Sequence, residues 1–234
     1  MTDLVTANAG TSALARIRSA GKLHDGADGG HSADVLSSLG WVQDLYAEAD
    51  TTLVAACGAM ADTLLPQGVD PDHLFLSMLR QSLIKDICFL WNPRLRVFHT
   101  LVALGPDVAG HPRVTHGGFT SAVLDETTGG LVFELKKAGL LGPGPAFTAR
   151  LEVDFKRPLP VSIPTLCSAR LLSIEGRKVW VAAEMLDRVG GVVFATAKAL
   201  YVTPRQYAAE DGAAAAADAP PKARSSTLST SVCV

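Results

Sequence analysis

One carboxylate in this sequence lies where an acid is costly to bury unless it is paired or used. Asp125 falls within residues 119–137, a run without proline or a turn cluster, which predicts a helix. Larger apolar residues cover most of the helix, and such a helix is a buried one. Small side chains share one helical stripe with the acid. The stripe consists of Gly118, Ser121, Ala122, Asp125, Thr128, Gly129 and Val132.

A second chemical feature precedes this helix. His116, Gly117 and Gly118 form a tight turn at its predicted N-terminus, where the glycines allow positive φ or the close approach of a ligand. Unpaired N–H groups at a helix N-terminus, together with the positive end of the macrodipole, can bind an anion or a carbonyl oxygen that gains negative charge. The turn therefore predicts a site for such an oxygen.

The elements around the helix are predicted strands. Alternation of apolar and polar residues predicts them over residues 87–90, 94–104, 148–155, 166–174, 178–186 and 192–203, with a turn at Asn92-Pro93. This order predicts an α+β domain in which an antiparallel sheet of about five strands packs against one long helix.

These features resemble the hotdog-fold acyl-CoA thioesterases. The likeness rests on the His-Gly-Gly turn at residues 116–118, an Asp nine positions after the His, the buried helix, and a strand that ends in Asp-Phe-Lys-Arg-Pro at residues 154–158. It covers roughly residues 87–203 and is closest to the branch with the phenylacetate-pathway thioesterases and thioesterase superfamily members four and five. The resemblance implies a hotdog fold, an antiparallel sheet wrapped around one long central helix.

The resemblance also implies a reaction, the hydrolysis of acyl-CoA to free acid and CoA without a metal or organic cofactor. The backbone N–H of Gly117, in a turn shaped by His116, would polarise the thioester carbonyl. Asp125 would act as general base or as nucleophile, and Thr148 would position the catalytic water or the substrate. The residues themselves leave two alternatives open, a structural acid at Asp125 and an ordinary β-branched strand former at Thr148.

Further positions concern the substrate. The resemblance places the acyl tunnel along the small stripe, with Gly118 and Ser121 at the substrate. Lys156 and Arg157 would hold CoA phosphates by charge-assisted hydrogen bonds, or would simply be a solvated strand end that resists aggregation. Some relatives carry an Asn about six residues before the His, and this chain has Gly110 there, so the oxyanion site would depend more on backbone donors.

Strand parity predicts an oligomer. Alternation puts Thr148 on the face of Arg150 and Asp154, opposite Leu151 and Val153, and so directs it away from the chain's own helix. Open sheet edges are commonly paired or covered. We therefore expect a homodimer or homotetramer, and the resemblance implies that the helix N-terminus of one subunit faces the acid and the hydroxyl of the other.

Two other functional classes compete with a thioesterase. A hotdog protein could bind acyl-CoA or a protein partner without turnover. A hotdog dehydratase would require a catalytic His and a Glu on the facing helix, and the arrangement of His116, Gly117 and Asp125 argues against it.

The rest of the chain is predicted to contain a helical extension and two disordered ends. We expect a disordered leader at 1–35, a helical extension at 36–86, the hotdog domain at 87–205 and a disordered tail at 206–234. The extension contains an amphipathic helix over 42–64, closed by Pro66 and Gly68, and a second helix from His73 to about Asp86 with a cap signal at 70–72.

Composition limits which binding partners and which cell compartments are expected. A net charge of -2 without runs of like charge disfavours nucleic acid, and no stretch approaches the length of a membrane span. The four cysteines lack the spacing of a zinc site or a disulfide scaffold. The basic, acid-free run at 12–22 is compatible with a mitochondrial address or with a disordered leader, so the chain is expected to be cytoplasmic or mitochondrial.

Overall fold

A single antiparallel sheet forms most of the molecule. The computed structural model describes residues 35–54 and 73–205, and within these ranges the sheet has seven strands. Its strands are β1 (Thr52–Val54), β2 (Ile84–Asn92), β3 (Val97–Leu104), β6 (Phe147–Phe155), β7 (Pro164–Glu175), β8 (Lys178–Leu186) and β9 (Val193–Val202). They are ordered β1-β2-β3-β7-β8-β9-β6, and every neighbouring pair is antiparallel. Two short strands, β4 (Ala109–His111) and β5 (Val114–Thr115), pair beside it.

The sheet wraps around one long helix, so the predicted hotdog architecture is confirmed. This helix is α3, which spans Gly117–Lys137, and it follows α1 (Gly40–Ala47) and α2 (Leu74–Arg80). Leu124, Leu131 and Leu135 on α3 are completely buried against the concave face of the sheet. Lys136 and Lys137 lie in its last turn, where cations complement the helix dipole. The acid in the middle of the helix is therefore held in a rigid element.

A second layer covers the other face of the sheet at one end. Helix α1 contributes Val42 and Leu45 to a cluster with residues of β2, β3 and β7. Strands β2 and β3 are therefore buried on both faces, and they read as nearly continuous apolar runs. Strand β6 is mostly exposed and pairs only with β9 among the described residues, which leaves its outer edge open.

Two sequence predictions in the amino-terminal part are wrong. The amphipathic helix over 42–64 ends at Ala47, and Thr52–Val54 instead forms β1, which pairs with β2 from Trp91 to Phe89. The second helix ends at Arg80 and β2 begins at Ile84, so the helix does not reach Asp86. The helical extension expected over 36–86 is thus interrupted by strand residues that belong to the main sheet.

Some predictions fall on residues outside the described ranges. These are the leader up to residue 34, the segment 55–72 with the Pro66 and Gly68 stop and the 70–72 cap signal, and the tail 206–234. The N-cap seen for α2 is His73, whose Nδ1 accepts a hydrogen bond from the Phe75 N–H. In the parts that the structure describes, no helix combines the length and the apolar character needed to cross a membrane.

Candidate active site

The turn before α3 is held by its own histidine. His116 is the N-cap residue, and its Nδ1 accepts a hydrogen bond from the Gly118 N–H at 2.9 Å. The His116 N–H donates in turn to the Val108 carbonyl at 2.8 Å, which anchors the turn to the preceding loop. Within residues 35–54 and 73–205, the Gly117 N–H has no hydrogen-bond partner. Gly117 is therefore the donor that this turn leaves available for an oxyanion.

Close packing restricts a glycine of the preceding loop more than the glycine that begins the helix. A Cβ atom at Gly110 would lie 2.9 Å from Cδ2 of His116, closer than real contacts of this kind. A larger residue at Gly110, asparagine included, would not fit this loop unless His116 moved. A Cβ atom at Gly117 would lie 3.3 Å from Cζ of Phe155, whose ring is exposed and free to shift.

Asp125 is half-buried and is held by hydroxyl groups. Its Oδ1 accepts a hydrogen bond from Thr148 Oγ1 at 2.9 Å and one from the Tyr201 hydroxyl at 3.2 Å. The other carboxylate oxygen, Oδ2, has no partner among the described residues. Asp125 thus presents one anchored oxygen and one oxygen available for chemistry.

The predicted orientation of Thr148 is wrong, because β6 contains a bulge. Thr148 pairs with Tyr201 and Arg150 pairs with Leu200, so Ala149 is an extra residue on β6. One extra residue reverses the alternation of side chains across a strand. Thr148 therefore faces α3 of its own chain and bonds Asp125, although simple alternation directs it to the opposite face.

Tyr201 was missed by the sequence analysis. It lies on β9, 76 residues from Asp125, and its hydroxyl also approaches the Asp125 carbonyl oxygen and Thr128 Oγ1, both at 3.0 Å. Burial, with the negative charge of Asp125 as a second cause, raises the pKa of the Tyr201 phenol above its ordinary value. The inward side of β9 carries Ala195, Ala197 and Ala199 before Tyr201. One aromatic hydroxyl after three alanines is the signal that could have identified it.

The neighbouring acid faces elsewhere. Glu126 Oε2 lies 3.8 Å from Nε2 of His73, the N-cap of α2. A one-residue step turns a side chain by about 100° around a helix, which accounts for the different surroundings of the two acids. Of the two, Asp125 is the one that contacts Thr148.

A cavity of about 360 Å³ opens at the N-terminal end of α3. Its lining includes Gly117, Thr120 and Phe155, with Lys156 and Arg157 at the end of β6. Lys156 Nζ lies 3.3 Å from Asp154 Oδ2, whereas Arg157 has no ion-pair partner in the described part of the chain. The structure thus brings both predicted cations to the Gly117 turn, and Asp125 is outside this lining.

The two predicted substrate residues nearest the turn, Gly118 and Ser121, already make hydrogen bonds within the start of the helix. Ser121 Oγ donates to the Gly117 carbonyl at 3.0 Å, while Gly118 is exposed and gives its N–H to His116. The predicted site residues therefore form two groups, one at the helix N-terminus and one around Asp125 and Thr148.

These two groups are too far apart to act on one carbonyl within one chain. Asp125 follows Gly117 by eight residues on α3, which corresponds to about 12 Å along the axis at about 1.5 Å per residue. Reacting atoms must approach to roughly 3–3.5 Å, and oxyanion donors must lie about 3 Å from the developing charge. A complete site therefore needs a second source for one of the groups.

Comparison with known proteins gives matches to thioesterases. Residues 113–198 match the profile of the thioesterase superfamily. Acyl-coenzyme A thioesterase THEM4 of Xenopus laevis is 30% identical over 118 residues, which are 50% of this chain and 50% of that protein. THEM4 of Rattus norvegicus is 26% identical over 128 residues, 55% of this chain and 52% of that protein. The chain thus spans about half the length of the curated relatives it matches.

Among solved structures, a phenylacetic acid degradation-related protein from Ralstonia eutropha aligns with 20% identity and a TM-score of 0.42. The alignment covers 54% of this chain and 89% of that one.

Proposed function

We propose that this chain, whose residues 113–198 match the thioesterase superfamily, hydrolyses acyl-CoA to a free acid and CoA. The observation that carries the proposal is the state of Asp125. Its Oδ1 is fixed by two hydroxyl donors, while Oδ2 is left without a partner in the described residues. A carboxylate held in this way on a buried helix is oriented for proton transfer or attack, because geometry is the first requirement for either role.

The reaction then needs few steps. With Asp125 as general base, Oδ2 takes a proton from water as the water oxygen bonds to the thioester carbonyl carbon, and the carbonyl oxygen becomes an oxyanion. The Gly117 N–H stabilises that oxygen. When the C–S bond breaks, the CoA sulfur leaves with the electron pair and receives the proton from Asp125. With Asp125 as nucleophile, Oδ2 attacks the carbonyl carbon itself, the C–S bond breaks and CoA leaves as the thiolate. Water then hydrolyses the acyl-aspartyl anhydride to the free acid and the Asp125 carboxylate, and the proton released in this step neutralises the thiolate.

The cavity beside Gly117 is proposed to receive the CoA portion. Arg157 and Lys156 line it and provide positive charge near the helix N-terminus, and both features favour phosphate groups. Arg157, without an ion-pair partner in the described ranges, is the better placed of the two, since Lys156 lies beside Asp154. The acyl chain would extend along the small stripe of α3.

The substrate proposal is tested with a panel of acyl-CoA thioesters of increasing chain length and the purified full chain. Hydrolysis is followed as release of free thiol. Acyl-pantetheine thioesters, which lack the nucleotide phosphates, report how much the cations at residues 156 and 157 contribute to KM. Binding of acyl-CoA without turnover on the whole panel would instead indicate the alternative, a non-catalytic acyl-CoA-binding protein.

The active unit is proposed to be at least a dimer. The distance of about 12 Å between Gly117 and Asp125 on one helix requires the oxyanion donor and the acid to come from different chains. Strand β6 offers an open edge with Phe147 and Phe155 exposed, and such an edge is commonly paired with another chain. Thr148 no longer supports this proposal by its parity, because it bonds Asp125 of its own chain.

Subunit mixing tests this arrangement. Asp125→Asn and Gly117→Val each inactivate every site in a homodimer. In a mixed dimer, one of the two sites combines an intact Asp125 with an intact Gly117, so equal mixing should restore up to about a quarter of the wild-type activity if subunits exchange at random. Wild-type protein that sediments as a monomer and still turns over acyl-CoA at full rate would contradict the proposal.

A further inference from the structure

Tyr201 makes more contacts to Asp125 than Thr148 does. Its hydroxyl lies 3.2 Å from Asp125 Oδ1 and 3.0 Å from the Asp125 backbone carbonyl oxygen. It also lies 3.0 Å from Thr128 Oγ1, one turn further along α3. A single phenol thus touches the carboxylate, the backbone of the same residue and the next inward hydroxyl of the helix.

Its surroundings hold the phenol in this position. Tyr201 is only 3% exposed, so its hydroxyl has no access to bulk water as an alternative partner. Gly129 permits the approach, because a Cβ atom there would lie 3.2 Å from the Tyr201 oxygen. Thr128 Oγ1 can donate to the Leu124 or Asp125 carbonyl, each at 3.0 Å, and so accept from the phenol, or it can donate to the phenol itself.

When Thr128 donates to the phenol, the three hydroxyls form a hydrogen-bonded chain that ends at Asp125. Thr128 donates to Tyr201, Tyr201 donates to Asp125 Oδ1, and Thr148 donates to the same oxygen from β6. Successive hydroxyl hydrogen bonds polarise one another, and donors to a carboxylate favour its charged form. Two donors on Oδ1 also prevent rotation of the carboxylate, which fixes Oδ2 as the oxygen that faces the substrate.

From these contacts we propose that Tyr201 is a positioning residue for Asp125, one that anchors Oδ1 and thereby assigns the reaction to Oδ2. The inference rests on the proposed thioesterase function. Tyr201 does not touch the reacting atoms in this assignment, and it acts only through the carboxylate.

Few other charged groups face Asp125. Strand β6 contributes the hydroxyl of Thr148, and its next polar side chain, Arg150, is paired with Glu152. On α3 the adjacent acid Glu126 faces His73 of α2. A change in kcat on removal of the phenol would therefore report the Tyr201 hydrogen bond itself.

The test compares Tyr201→Phe with a matched variant, Thr127→Val. Thr127 is a buried hydroxyl on the same helix, and its Oγ1 contacts Thr100 Oγ1 at 2.8 Å and the Val123 carbonyl, with no hydrogen bond to Asp125. Both variants lose one buried hydroxyl, so both should lower the thermal midpoint. Only Tyr201→Phe should lower kcat, by roughly tenfold with KM within about twofold, because only this hydroxyl orients the Asp125 carboxylate.

A readout independent of turnover separates this inference from the proposed function. The carboxyl carbon resonance of Asp125, recorded at one fixed pH, should move in Tyr201→Phe, because the carboxylate loses a hydrogen-bond donor, and should stay in place in Thr127→Val. If the wild-type chain hydrolyses no thioester but the resonance moves only in Tyr201→Phe, the proposed function fails and the positioning role stands. If the resonance and kcat behave alike in both variants, Tyr201 is merely structural and the inference is overturned.

Gly129→Ala provides a second variant that keeps the hydroxyl. Alanine favours the helix over glycine, but its Cβ would lie 3.2 Å from the Tyr201 oxygen and displaces the phenol by a few tenths of an ångström. We expect kcat to fall as in Tyr201→Phe but by less. An unchanged kcat in Gly129→Ala together with a full effect of Tyr201→Phe would overturn the role given to the close approach over Gly129.

Discussion

The two regions of the proposed active site use different kinds of functional group. At the helix N-terminus the functional group is the backbone N–H of Gly117, which stays available because His116 accepts its hydrogen bond from the Gly118 N–H. Access to this donor requires a residue without a side chain at position 117. In the middle of α3 the functional group is a side chain, and it depends on hydroxyls from two separate strands. The first region is local in the chain, whereas the second is assembled by tertiary contacts.

This difference determines how each region should respond to substitution. Apart from proline, which removes the N–H itself, a substitution can only crowd a backbone donor. A carboxylate can be neutralised at nearly constant size.

Neutralising the acid should have the largest effect. Asp125→Asn keeps the size of the side chain but removes the charge that activates water, so kcat should fall by at least roughly 10². Thiol release from the best acyl-CoA of the panel, measured at saturating substrate, checks this. Glu126→Gln, which neutralises the neighbouring acid, should keep kcat near that of the wild type. Equal losses in both variants would show that helix charge, and not Asp125, controls the rate.

Crowding the backbone donor should have the next largest effect. Gly117→Val places methyl groups against Phe155 and over the N–H, and the exposed ring can yield, so the protein should fold and kcat should fall by about 10². Gly117→Ala adds only the Cβ and should lose less activity. Circular dichroism and thermal midpoints establish folding. An unchanged rate in folded Gly117→Val would remove this N–H from the mechanism.

A third prediction concerns pH dependence that belongs to neither region. His99 on β3 is buried, and its Nδ1 has no hydrogen-bond partner among residues 35–54 and 73–205. Burial lowers the pKa of this imidazole to about 4. The unfolded chain binds this proton near pH 6.5 while the folded state withholds it, so stability is lost as pH falls from about 6.5 towards 4. Between pH 7 and pH 5 the expected loss is about 2 kcal/mol.

Urea unfolding at pH 7, 6 and 5 measures this loss. His99→Leu removes the titrating group and should flatten the pH dependence by that amount, even if its stability at pH 7 differs. The same slope in both proteins would mean that other groups cause the acid sensitivity. The comparison also ensures that a pH effect on activity is not confused with unfolding.

Much of the fold follows from local patterns. The glycine turn, the run from 119 to 137 and the alternation in the last four strands predict α3 and strands β6 to β9 within a few residues, since periodicity is set by the geometry of each element. Thr52–Val54 was predicted as helix because a three-residue strand is too short for alternation to outweigh helical spacing. It forms a strand because β2 offers a partner far along the chain.

The candidate site likewise combines features set by local sequence with features set by long-range pairing. The sequence alone determined that Asp125 lies on a buried helix behind a His-Gly-Gly turn, because types and spacing within about one helix length are enough for that. Only the tertiary structure decided what surrounds the acid. A bulge at Ala149 turns Thr148 towards the helix, and Tyr201 reaches Asp125 from 76 residues away. Both depend on strand register, which is fixed by long-range pairing and is not written in the periodicity of either strand.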